Sequence, residues 1–103
     1  MQVGVFMLAT ESSADPAVVA KKAEELGFAS FWAPEHPIIP VKYASRYPGS
    51  ADGRIPAAAS RIADPFVVLA RASAVTKTIK LGTGICLVPE RSPLLLAKEI
   101  ATL

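Results

Sequence analysis

The feature that most narrows the fold is a helix-start signal that occurs three times, at Asp15-Pro16, Asp64-Pro65 and Ser92-Pro93. A short polar side chain can accept the free N–H groups of a first helical turn, and proline suits the first helical position because its missing N–H would have no partner there. Before the first signal lies a stretch, residues 3–8, that is short and almost wholly apolar, as in a strand buried on both faces. A polar loop follows, then a predicted helix over residues 16–26 in which Val19, Ala23 and Leu26 share one face and Gly27 is the stop. A second strand is predicted over residues 28–33. The second helix covers residues 66–75, with Phe66, Leu69, Ala70 and Ser73 on or near one face, and the third strand runs from residue 79 to about 86. Ser92-Pro93 opens a third helix, a cap of the same kind as the first two. Strand, loop and helix in this repeating order predict an α/β protein with parallel strands, either an open doubly wound sheet or a (β/α)8 barrel.

The open sheet with a dinucleotide site is disfavoured. Gly82-Thr83-Gly84-Ile85-Cys86-Leu87 has the first two glycines of the G-x-G-x-x-G fingerprint, but it ends in leucine and is separated from its helix by Val88-Pro89. The glycines instead suit a bulge or a close approach of backbone to a planar ligand. A barrel needs about 250 residues, and these residues supply three of its eight units. The expectation is therefore an N-terminal piece of a barrel, residues 1–103 being part of a single domain, with open strand edges that favour self-association.

The second strand delivers the chemistry. Gly27-Phe28-Ala29-Ser30-Phe31-Trp32-Ala33-Pro34-Glu35-His36-Pro37 ends in a carboxylate and an imidazole flanked by prolines, which cannot donate to a ladder and so end the strand near Ala33. His36 is the one histidine, and an imidazole can give or take a proton near neutrality. A lone histidine at a strand end is also a common hydrogen-bonded surface residue, and both readings stay open at this point. The connection from residue 34 to about 61, with prolines at 34, 37, 40, 48 and 56, is too long for an idle loop in a compact domain. Its Tyr43, Arg46 and Tyr47 could form a lid over a ligand or an ordered surface excursion.

Composition excludes several classes. With 51% apolar and 19% charged residues, the 103-residue chain reads as one packed domain. A net charge of +2 is far from a nucleic-acid-binding stripe. The charge is uneven: Lys42, Arg46, Arg54 and Arg61 face only Asp52 between residues 38 and 61, which favours an anionic ligand near that loop. One histidine and one cysteine leave no ligand cluster for a metal, so a metal-dependent hydrolase is a poor reading. Cys86 reads as a reduced, buried thiol. No apolar run approaches the ~18 residues of a membrane span, the start lacks a basic signal-peptide region, and a cytoplasmic protein is expected.

These segments, with Asp64-Pro65, Leu69-Ala70, Ile79-Lys80-Leu81-Gly82-Thr83-Gly84-Ile85, Pro89, Arg91, Pro93 and Ala97-Lys98-Glu99-Ile100-Ala101-Thr102-Leu103, resemble the start of a bacterial-luciferase-like monooxygenase. Tyr43-Ala44-Ser45-Arg46-Tyr47-Pro48-Gly49-Ser50 followed by Asp52-Gly53 resembles the branch of probable deazaflavin-dependent oxidoreductases. The resemblance implies a barrel that binds FMN or the 5-deazaflavin coenzyme F-420 at the C-terminal ends of its strands, the two not being distinguishable from these residues. It implies that His36 is the acid/base, or the donor to a reduced or peroxy flavin, and that Glu35 orients His36 or touches the ring. Phe6, Thr83, Gly84 and Ile85 would lie at the cofactor, with a non-prolyl cis peptide at or near Gly84-Ile85. Phe6 reads as barrel core ahead of a pocket-lining residue, Trp32 reads as core rather than a cofactor contact, and Arg91 reads as an exposed residue at a helix start rather than a phosphate contact. The function expected is hydride transfer or oxygen activation on a small organic substrate by a homo-oligomer; the alternative is an inert, self-associating half-barrel.

Overall fold

Three parallel strands, each followed by a helix, make up the structure, a computed structural model that describes residues 1–103. Strands β1, β2 and β3 are Gly4–Phe6, Ser30–Ala33 and Lys80–Thr83; helices α1, α2 and α3 are Pro16–Glu25, Pro65–Ser73 and Pro93–Thr102. Single 3-10 turns occupy Ala57–Arg61 and Val88–Glu90. The sheet order is β1-β2-β3, with Phe31 opposite Val5 on one side and Leu81 on the other. This arrangement matches the first units of a (β/α) barrel, incomplete.

Two of the three helix starts work as the sequence predicts. The Asp15 carboxylate accepts from the Ala17 N–H at 2.9 Å, and Asp64 accepts from Phe66 and Val67 at 2.9 and 3.2 Å. Ser92 differs: its hydroxyl makes no capping bond, and α3 is started by Pro93 and by the Ser92 carbonyl, which accepts from the Leu96 N–H at 2.9 Å. At the end of α1, Gly27 takes φ +81°, where a side chain would be strained. There the Phe28 N–H reaches Ala23 O and the Gly27 N–H reaches Glu24 O, each at 3.0 Å, so two last-turn carbonyls are satisfied in a Schellman motif.

The helices cover one face of the sheet. Phe31 and Ala33 point into them and pack with Ala20, Ala23, Val68, Leu69 and Ala72, which form the core with Ala9 and Ile79. Two predicted helix faces are corrected here. Leu26 is 64% exposed because it sits at the C-cap, where helical geometry has ended, and Ala20 takes its place beside Ala23. In α2 the buried set is Pro65, Val68, Leu69 and Ala72, spaced three, one and three residues apart, while Phe66, Ala70 and Ser73 turn towards α3. The strands are also shorter than predicted, and β1 is not buried on both faces: Phe6 is 58% exposed because the face opposite the helices is uncovered.

Carboxylates tie the helix layer together. Oε1 of Glu24, in the last turn of α1, accepts from the N–H groups of Lys77, Thr78 and Ile79 at 2.8, 2.6 and 2.9 Å and so anchors the entry to β3. Those bonds, the Thr78 N–H first, hold its pKa down at about 2 against the usual 4.5. Asp15 is lowered to about 2 chiefly by the Arg71 guanidinium, which joins the start of α1 to α2. A carboxylate with a lower pKa folded than unfolded stabilises the fold above its unfolded pKa, and that contribution vanishes as pH falls through the folded value. Thermal melts should therefore be flat near neutrality and drop between pH about 4.5 and about 2. Glu24→Gln should shallow that drop; identical acid slopes for variant and parent would refute the assignment.

Candidate functional site

Parallel strands end on the same side, so the loops after β1, β2 and β3 meet at one rim. The ladder continues there: Met7 N–H donates to Trp32 O at 2.9 Å and Gly84 N–H to Ala33 O at 2.8 Å. Immediately beyond, the Gly84-Ile85 peptide is cis, where the family resemblance implies one.

The uncovered sheet face carries two aromatic rings. Trp32 is 40% exposed, because alternation along β2 sends Phe31 and Ala33 to the helices and Ser30 and Trp32 to the other side. The indole N–H donates to Ser30 Oγ at 2.8 Å, and the six-membered ring lies over Gly82, where a Cβ would come within 2.6 Å of it. Gly82 thus leaves room for Trp32, which is a different use from the approach to a ligand expected of it. The Phe6 ring lies beside Gly84, 3.1 Å from the place of a Cβ there. Ile85, which follows Gly84, is also exposed, at 65%. Thr83 lies apart from these residues: paired with Ala33, it faces the helix side and lines a groove with Phe66, Leu69 and Leu96.

Glu35 and His36 part company. The His36 side is exposed and opens on a recess of about 230 Å³ formed with Pro37, Ile62, Ala63, Asp64 and Pro65. Glu35 is 4% exposed and points inward, where Arg91 Nε donates to Oε1 at 2.6 Å and the Leu87 N–H donates to Oε2 at 2.6 Å. Its carboxylate oxygens are engaged by Arg91 and Leu87, not by His36. Burial alone would raise the Glu35 pKa, but the Arg91 guanidinium and the Leu87 N–H outweigh it and the pKa falls. The same burial works against the Arg91 cation and is overcome by Glu35 and Asp64, so its pKa rises. The Cys86 thiol, half-buried beside Glu35, is pushed up by burial and by that carboxylate.

Arg91 is the residue that sequence reasoning missed. It is not an exposed helix-start residue: its side chain is 15% exposed, bonded also to Asp64 Oδ2 at 2.6 Å and Glu99 Oε2 at 3.3 Å, and stacked 4.8 Å from the centre of the Phe66 ring. Its partners come from the end of β2, from α2 and from α3, so no local pattern announces them.

The long loop after β2 closes on itself. The Tyr43 hydroxyl accepts from the Ile55 N–H at 3.1 Å, Tyr47 N–H donates to Gly53 O at 2.9 Å, and Ser50 Oγ donates to Arg54 O at 2.7 Å. Tyr43, Arg46 and Tyr47 are exposed on it. No three His, Cys, Asp or Glu side chains are grouped to hold a metal ion, and no helix is long and apolar enough to cross a membrane.

Comparison with known proteins places this geometry in context. The family described as luciferase-like monooxygenase matches residues 1–103. The chain is 41% identical over 104 residues to uncharacterised proteins of Mycobacterium bovis and of two strains of Mycobacterium tuberculosis. The match takes in 100% of this chain and 37% of each relative, so the chain spans little more than a third of their length.

Proposed function

Because this chain belongs to the luciferase-like monooxygenase family, we propose that it supplies the first three βα units of a single barrel domain that acts as a flavin- or deazaflavin-dependent oxidoreductase. The observation that supports the reading is the parallel register, which sends the segments after β1, β2 and β3, His36 and Gly84-Ile85 among them, to one side of the sheet.

The residues fit a flat ring. Phe6 and Trp32 offer apolar faces, and Gly84 and Ile85 present backbone and a side chain beside them. FMN or the 5-deazaflavin coenzyme F-420 would supply the redox chemistry when bound: hydride transfer, or oxygen activation by a reduced flavin. His36 holds or moves the proton that the reaction requires, from an exposed position where its ring can meet a ligand. Glu35 serves by fixing the end of β2 rather than by touching the ring. The apolar floor excludes water, and the loop bearing Tyr43, Arg46 and Tyr47 covers a small organic substrate, with the excess of cations on that loop drawing in anionic groups.

Titration of the protein, expressed over its full reading frame, with FMN and with F-420 tests this directly. Saturable binding of one of them with a shifted absorption spectrum is expected; binding of neither would remove the proposal.

A second reading is favoured by one observation. Phe6, Ile85, Leu94, Leu95 and Ile100 are exposed, and β1 and β3 each have a free edge. The 103 residues alone would then be inert and self-associate. Gel filtration of this segment should show a dimer or larger species, and a well-folded monomer would contradict the reading.

A further inference from the structure

Both oxygens of the buried Glu35 carboxylate are engaged, one by Arg91 and the other by the Leu87 N–H at 2.6 Å. Leu87 ends the turn of residues 84–87 that leaves β3 at the rim, and Glu35 directly precedes His36. We propose that Arg91 is a positioning residue: by holding the Glu35 carboxylate against the Leu87 N–H, it fixes the turn of residues 84–87 relative to His36.

The geometry of the guanidinium explains why arginine fills this place. Its planar fork reaches Glu35, Asp64 and Glu99 at once while its face lies on Phe66, which a lysine ammonium on a flexible stem cannot reproduce. Phe66 and Glu99 belong to α2 and α3, and Asp64 caps α2, so the carboxylate is held in place from the helix layer. Glu35 has little access to solvent, so water is poorly placed to substitute for either partner. The other titratable group against it, the Cys86 thiol, is neutral at ordinary pH and offers no rival cation. Remove the guanidinium, and the carboxylate loses the charge that keeps it ionised and aimed at Leu87.

The consequence for ligand affinity rests on the proposed function; the consequence for the turn does not. In the protein expressed over its full reading frame, Glu35→Leu with Arg91→Met leaves neither member of the buried ion pair behind and should keep a melting temperature close to the parent's. The Leu87 amide should nevertheless exchange with solvent at least roughly tenfold faster, its acceptor being gone. Affinity for FMN or F-420 should fall by roughly tenfold or more, because the turn is no longer held. Glu35→Gln with Arg91→Met keeps an amide oxygen near Leu87 but not the guanidinium that aims it, so exchange should stay fast and affinity low; slow exchange and parental affinity in this variant would overturn the role given to Arg91. A purely structural role would leave affinity intact in the stable double variant that combines Glu35→Leu with Arg91→Met. Unchanged Leu87 exchange in that variant overturns the proposal, whether or not a cofactor binds. Should it fail to fold, Arg91→Lys is read in the same way, with unchanged exchange again the overturning result. If the parent binds neither cofactor, the proposed function falls and the exchange rates alone decide the role of Arg91.

Discussion

Replacing Arg91 by alanine should destabilise the protein by about 3–5 kcal/mol, because it strands the Glu35 carboxylate in the interior without its counter-charge. The comparison that decides the magnitude is with the surface. Lys22 and Glu25 form an ion pair at 3.2 Å with side chains 65% and 51% exposed, and such a pair contributes about 0–1 kcal/mol. Arg91 and Glu35 are 15% and 1% exposed, so solvent cannot take up the charge that is left. The guanidinium also bonds Asp64, whose other oxygen caps α2, and so its loss loosens the start of that helix. Against a total stability of about 5–15 kcal/mol for a domain, this is a large fraction, and melting should drop by roughly 12 °C or more. Alanine at Lys22 should shift it hardly at all. If both variants melt together with the parent, the buried network does not hold the rim.

His36→Gln should do the reverse: little change in stability, large loss of turnover. The side chain is exposed and makes no hydrogen bond within the protein, so its replacement belongs with surface substitutions, within about 0.5 kcal/mol. A positioned general acid or base contributes about 10²–10⁴-fold to rate. If the proposed function holds, turnover in the protein expressed over its full reading frame should fall by roughly that factor, while affinity for the cofactor stays nearly constant. A fall of less than a few-fold would assign the proton to another group and leave His36 as a surface residue.

The two adjacent residues Glu35 and His36 show where sequence reasoning stops. Their position after a strand, bracketed by prolines, is readable, as are the caps at Asp15 and Asp64 and the stop at Gly27, because each depends on a few neighbouring residues. Their partners are not readable. Glu35 meets an arginine 56 positions away, and only packing of α2 and α3 on β2 brings the two together.

Local chemistry in the chain is thus enough to dictate three parallel strands, their helices and a histidine at the shared rim, since caps, prolines and alternation act over a turn or two of backbone. Tertiary packing decided which face each strand residue meets and which charges are paired. It turned Glu35 inward to Arg91 and left His36 outside, because desolvating a carboxylate is tolerable only where a cation and an N–H arrive with it, and those arrive from elements distant in sequence.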